Sequence, residues 1–240
     1  MLRYFTLMAM LCYTWSAAAS VVINATRVIY PQNAKFINVQ LANKSTTPHL
    51  VQSWIDDGRP DVAPEKINVP FSVAPAVVQI GINEGQILKV VARNADVLPM
   101  DRESVFWLNV LDVPPVPEVK EDKANYLQVA LRSRIKLFYR PKGLDIKSED
   151  IDTHLSVSNQ EGKVCLNNAS PYYVTVMEIS PWQGGDLKKA TKVNLLSDTA
   201  FIAPFNCYVL PVAVKGHSQY RIARMNDFGS KHYAVISSVL

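Results

Sequence analysis

The chain has 240 residues and a mass of 26.8 kDa, enough for one large or two small domains. Hydrophobic residues make up 48% and charged residues 19%, with 9 glycines against 15 prolines, a balance that excludes disordered, collagen-like and coiled-coil chains. The formal charge is +4 and no basic run exceeds Lys188–Lys189, so nothing in the charge pattern predicts a nucleic-acid partner.

Residues 1–19 read as an export signal. Arg3 is the only charge before Arg27, Tyr4 to Trp15 is an almost unbroken apolar run, and Ala17-Ala18-Ala19 supplies small residues for cleavage. The run is shorter than the ~20 apolar residues that a membrane-spanning helix needs. Later apolar runs are all broken by charges or prolines. The expected mature chain starts after Ala19 and works outside the cytoplasm, without inserting into a membrane.

Residues 21–141 alternate with the period of two of half-buried strands. Phe36, Val39 and Leu41 mark one strand, followed by a turn-like stretch from Asn43 to Pro48. Leu50 to Ile55 is a second strand and carries Trp54; Ile80, Ile82, Ile87 to Val91 and Val105 to Val110 continue the pattern. A long strand is predicted from Tyr126 to Tyr139. After a joint at Arg140-Pro141-Lys142-Gly143 the pattern restarts at Leu155 to Val157, Lys163 to Leu166, Tyr172 to Ile179, Val193 to Leu196, Cys207 to Val214 and His232 to Val239. Such short strands, punctuated by turn residues, predict an all-β protein of two sandwich domains, 20–141 and 142–240, on a short stiff joint.

After cleavage Cys165 and Cys207 are the cysteines that remain. In an oxidising compartment the pair reads as a disulfide, which would stabilise the fold by about 4 kcal/mol through loop closure. Two buried thiols are the other reading. No nucleophile elbow, zinc-protease helix, phosphate loop or dinucleotide fingerprint occurs, and no pair of carboxylates stands out. His49, His154, His217 and His232 lack metal-ligand spacing, and each reads as a surface or turn residue. Asn24, Asn43 and Asn168 begin glycosylation triplets, which matter only in a eukaryotic secreted protein. The sequence therefore predicts no enzyme, no metal and no cofactor.

The most informative stretch runs from Leu98 to Arg140. It contains Leu98-Pro99-Met100-Asp101-Arg102-Glu103-Ser104 and, after a proline-rich turn, Ile135-Lys136-Leu137-Phe138-Tyr139-Arg140-Pro141. Together these blocks closely resemble the periplasmic chaperones of the chaperone–usher pilus pathway. Weaker matches are Thr26 to Pro31, Leu50 to Ile55, Pro171 to Val174 and Asn226 to Gly229. At Val73-Ala74-Pro75-Ala76-Val77 the sequence departs from the family, which usually has two consecutive prolines; Ala76 stands in place of the second.

The resemblance implies two immunoglobulin-like β-sandwich domains joined at an angle, in a boomerang shape. It implies donor-strand complementation, in which Leu127, Val129 and Leu131 fill the groove of a pilin-like subunit that lacks its last strand. From pattern alone these three residues are the core face of an ordinary strand; the resemblance turns that strand into an exposed edge. The resemblance also places Arg27 and Lys136 in the interdomain cleft, holding the subunit's C-terminal carboxylate. It makes Glu103, Arg140 and Asp227 a charged cluster bridging the domains. The short connection from Asp112 to Asn125 resembles the short-loop branch of the family. Implied partners are pilus subunits and an outer-membrane usher, with self-association of the free protein through its sticky edge. A structural or adhesive immunoglobulin-like surface protein and a secreted β-sandwich enzyme are the alternatives.

Overall fold

The computed structural model describes residues 20–116, 126–160, 163–189, 193–211 and 217–239. Residues 1–19, expected as an export signal, most of the connection expected from Asp112 to Asn125, and the end of the strand expected at Cys207 to Val214 lie outside these residues.

The first half forms nine strands: β1 (Val21–Ile23), β2 (Arg27–Pro31), β3 (Ile37–Asn43), β4 (His49–Asp56), β5 (Phe71–Ala74), β6 (Val77–Ile80), β7 (Gly85–Ala92), β8 (Ser104–Val113) and β9 (Leu131–Arg140). They build two facing sheets, ordered β1-β3-β7-β5 and β2-β9-β8-β4-β6. Alternation turns one face of each sheet inward. Val39, Leu41, Leu88 and Val90 thus meet Val51, Ile55, Leu108, Val110 and Leu137 in one core. Tyr30, Phe71, Phe106 and Tyr139 close it with ring-to-ring contacts.

The chain start changes sheets. β1 pairs antiparallel with β3, the chain crosses at Asn24–Thr26, and β2 then pairs parallel with β9 from Arg27↔Lys136 to Pro31↔Arg140. β8 covers the other side of β9 along its whole length, from Asp112↔Leu131 to Ser104↔Tyr139. Parallel pairing starts only at Lys136. Residues 131–135 of β9 therefore have β8 on one side and, among the described residues, no strand on the other.

The second half holds β10 (Leu155–Gln160), β11 (Lys163–Asn168), β12 (Val174–Pro181), β13 (Ala200–Ile202), β14 (Asn206–Val209), β15 (Gln219–Met225) and β16 (Lys231–Val239). Their order is β13-β12-β15-β16-β10-β11-β14. The two end strands, β13 and β14, are sequence neighbours, so the sheet wraps round a separate core that includes Leu155, Val157, Leu166, Val176, Ile179, Ile222 and Ile236. Cys165 on β11 and Cys207 on the paired strand β14 are bonded, with Cα atoms 5.6 Å apart. The protein is all-β and two-domain, as expected.

Several local expectations are corrected. The long strand begins at Leu131, not Tyr126. Its partner β8 ends at Val113, just before Pro114-Pro115, and prolines cannot donate to a ladder. Val193–Leu196 is a loop; the Asn194 side chain bonds Ile179 N–H and Met177 O, and Leu196 drops into the core. Ile82 lies in the turn between β6 and β7, where Asn83 takes a φ of 58°. β15 has no counterpart among the expected strands, because Arg221 and Arg224 interrupt its apolar pattern. Both are buried all the same: Arg221 donates to Leu187 O and Glu178, and Arg224 to Asp152. His49 is no surface residue. It is buried on β4, with Nδ1 2.5 Å from Asp112 Oδ1, and Asp112 also accepts from the Ser20 hydroxyl and the Val21 N–H.

Candidate functional site

The two faces of β9 carry different chemistry. Ile135, Leu137 and Tyr139 point into the first core. Toward the strand's start β1 belongs to the opposite sheet, and the sandwich gapes. The gap is a groove of about 510 Å³ lined by Val21, Ile23, Asp112, Leu131, Ser133 and Ile135. Leu127, Val129 and Leu131 are 86%, 53% and 52% exposed. Only Leu131 of the three is in the strand; Leu127 and Val129 precede it in an extension tethered where Gln128 Nε2 donates to Pro114 O at 2.7 Å. An apolar strand with an unpaired edge recruits other chains unless it is guarded.

The opposite face carries four cations: Arg132, Arg134, Lys136 and Arg140. Arg134 binds Asp56 with two hydrogen bonds, of 3.0 and 2.5 Å. Arg132 donates to Asn109 Oδ1 and Pro60 O and lies 3.5 Å from Asp56. Their guanidinium groups cover Trp54 at 4.9 Å and Trp107 at 4.6 Å. Asp56 is fully buried. Burial pushes its carboxyl up, but bonds from Arg134, Asn109 and the Gly58 N–H outweigh that and leave it below the usual range. This network ties β9 to β8 and β4.

Arg140 sits at the joint. Its Nε donates to Glu103 at 2.8 Å, and its two Nη groups donate to Asp227 at 2.7 and 2.9 Å. Glu103 also accepts the Tyr173 N–H at 2.9 Å, while its own N–H donates to Pro171 O at 2.8 Å. Glu103 and Arg140 come from the first domain, and Pro171, Tyr173 and Asp227 from the second. Burial raises Glu103 above the carboxylate range, despite Arg140. Asp227 is also pushed up by burial, but the Arg140 bonds and charge outweigh this and hold it low. Arg140 is held further above its ordinary value, as these acids overcome its burial.

Lys136 and Arg27 differ from the other cations. They are opposite each other in the β2–β9 register, and among the described residues neither has a carboxylate within 4.0 Å. Arg27 Nε is buried without a hydrogen-bond partner. Burial lowers the proton affinity of Lys136, and the Arg27 charge adds to the effect. Burial also lowers that of Arg27, against the pull of Asp227 and Glu103. Two half-buried like charges side by side favour an anion between them, and a carboxylate offers charge-assisted hydrogen bonds to both.

The expected residues thus fall into three linked places along one strand: the apolar edge, the cation pair and the charged joint. Two residues in the cleft are absent from the expected site. Tyr173 and Phe201, from the second domain, stack at 5.2 Å and pack on Phe138 at 5.9 and 6.3 Å. Tyr173 lies within the weak match Pro171 to Val174; no local pattern marks Phe201. Among the described residues no cluster of His, Cys, Asp or Glu is arranged to hold a metal ion.

A family model described as the N-terminal domain of PapD, a pili and flagellar-assembly chaperone, matches residues 20–145; the model of the PapD C-terminal domain matches residues 150–234. The chain is 40% identical over 230 residues to a probable fimbrial chaperone, YadV, of Escherichia coli K12, covering 91% of this chain and 90% of that protein. It is 34% identical over 223 residues to the chaperone protein MrkB of Klebsiella pneumoniae, covering 91% and 93% of the two chains. The fold resembles that of the Pseudomonas aeruginosa CupB2 chaperone, with a TM-score of 0.73, 33% identity, and coverage of 90% of this chain and 100% of that one. It also resembles a structure of the Salmonella enterica SafA pilin in complex with the SafB chaperone, with a TM-score of 0.70, 25% identity, and coverage of 93% and 98%.

Proposed function

The chain belongs to the PapD-like family of pilus-assembly chaperones, and on that ground we propose that it captures pilus subunits in the periplasm by lending them the open edge of β9. The observation that carries this reading is the juxtaposition, along β9 and its neighbour β2, of an open backbone edge at 131–135, exposed apolar side chains at and before the strand's start, and two cations without acidic partners among the described residues. In this reading residues 20–141 supply the donor strand and residues 142–240 complete the cleft.

In this reading capture proceeds from the cleft outward. The subunit's C-terminal carboxylate docks on Arg27 and Lys136 at the cleft end of β9. Docking fixes the register of the subunit strand that runs along the open edge, because a one-residue slip would turn every apolar side chain outward. Backbone groups of residues 131–135 then pair with the subunit. Leu127, Val129 and Leu131 enter its groove, each worth roughly 1.5–3 kcal/mol if fully buried. No nucleotide is consumed; binding alone drives the capture. The proposed recipient of the loaded complex is an outer-membrane usher.

The test is protection of a purified pilus subunit from protease. Wild-type protein is expected to protect it, and Val129→Asp to leave it exposed. Equal protection by both proteins would refute the donor-strand assignment.

A further inference from the structure

Of the four cations on the outer face of β9, three are answered by acids. Arg132 and Arg134 face Asp56, and Arg140 faces Glu103 and Asp227. Lys136 is the exception. Like the other three its charge sits over an aromatic ring, with Nζ 4.1 Å from the Phe201 centroid, but no acid joins it there. Arg27 is held in the same manner, its guanidinium 5.8 Å from the Phe138 centroid. The two rings belong to one group, because Phe138, Tyr173 and Phe201 all pack together, Tyr173 and Phe201 within 16° of parallel.

A ring face attracts a cation through its quadrupole but carries no net charge. It can therefore fix where an ammonium points without neutralising it. A carboxylate in the same place would fix Lys136 equally well and would compete with any incoming anion. Phe201 comes from β13 and Lys136 from β9, so the support crosses from one domain to the other.

We infer that Phe201, backed by Tyr173, is a positioning residue that holds Lys136 in the cleft as an unneutralised cation ready for a chain-terminal carboxylate. The inference rests on the capture reading above and deepens it. It gives the second domain a direct part in recognition: the anion site is complete only when Phe201 lies against the Lys136 side chain. It also explains a difference along the strand. All four of these cations lie over a ring, but the three that serve the fold are also paired with acid, and Lys136 is left with the ring alone.

The test compares two versions of one synthetic peptide copying a pilus subunit's C terminus, one ending in a free carboxylate and one in an amide. Affinities are measured by calorimetry on the full mature chain, with thermal melting as a check on folding. Wild type is expected to favour the free carboxylate. Phe201→Leu is expected to weaken binding of the free-carboxylate peptide about tenfold and leave the amide peptide unchanged. Phe201→Tyr restores a ring and is expected to restore the preference. A Phe201→Leu protein with the wild-type preference would overturn the inference while leaving the capture reading intact. A wild type that does not distinguish the peptides would overturn the carboxylate anchor itself, and the inference with it. If Phe201→Leu does not fold, Tyr173→Leu removes the ring stacked behind Phe201 and is judged by the same ratio.

Discussion

Replacing Arg140 with Met tests the joint between the domains. Glu103 has its side chain only 2% exposed, and among the described residues Arg140 is its charged partner, at 2.8 Å. Methionine keeps much of the arginine stem's volume but leaves Glu103 buried with the Tyr173 N–H as its remaining partner, which makes its ionised form costlier still. Removing one partner of a buried pair typically costs 3–5 kcal/mol. Arg140 keeps 19% of its side chain exposed and Asp227 32%, so part of the loss is screened by water. The expected loss is about 3 kcal/mol at neutral pH, at the low end of that range. Its pH dependence has a definite sign. Glu103 already has a raised folded-state value, so its ionised form costs stability as pH rises. Without Arg140 that cost grows. Asp227 has a depressed value, so its contribution is present above the ordinary carboxylate range and lost as pH falls through the folded value. Both effects make the gap between wild type and Arg140→Met widest near neutral pH and narrower in acid. Urea titrations over a pH series, with small-angle scattering at each pH, measure the stability and the domain arrangement. In a Glu103→Gln background, which keeps an acceptor for Tyr173 but removes the charge, Arg140→Met should cost less. Equal losses in both backgrounds, or a gap independent of pH, would refute this account of the joint.

Three other outcomes are expected. Leu131→Asp, at a half-exposed edge position, should change stability by no more than about 0.5 kcal/mol and yet abolish protection of a subunit from protease. Asp56→Asn should weaken the hold of Arg132 and Arg134 on β9, lower stability by roughly 1–3 kcal/mol, and speed amide exchange at residues 131–135. Because the Asp56 value is depressed, wild type should lose this contribution as pH falls through it, whereas the variant should not. Reducing the Cys165–Cys207 bond should lower the urea midpoint by an amount corresponding to about 4 kcal/mol, with little change in subunit capture.

Much of the fold was legible because half-buried strands write themselves as alternation. Most of β4 is read from Leu50 to Ile55, and the central part of β8 from Val105 to Val110. The failures are places where tertiary contacts override local pattern. Arg221 interrupts the apolar alternation of β15 and hides the strand, although Glu178 and the Leu187 carbonyl satisfy it inside the protein. His49 reads as a turn residue, but Asp112 on the neighbouring strand buries it. Tyr126 to Ala130 reads as strand by composition, yet Pro114 and Pro115 remove the partner ladder. The site was legible only through resemblance. Arg27 and Lys136 are 109 positions apart in the numbering and meet because β2 lies parallel to β9, a pairing that no local spacing encodes. Phe201 lies on a three-residue strand, too short for its alternation to be read.

The central claim is that β9 and its cation pair capture a pilus subunit. It is tested most directly by purifying the tagged protein from the periplasm of cells expressing a pilus subunit, alongside Lys136→Ala, and identifying what comes with each. The account predicts a stoichiometric subunit with wild type and none with a folded Lys136→Ala. A subunit recovered equally with both would contradict the carboxylate anchor, and no subunit with wild type would contradict the capture itself.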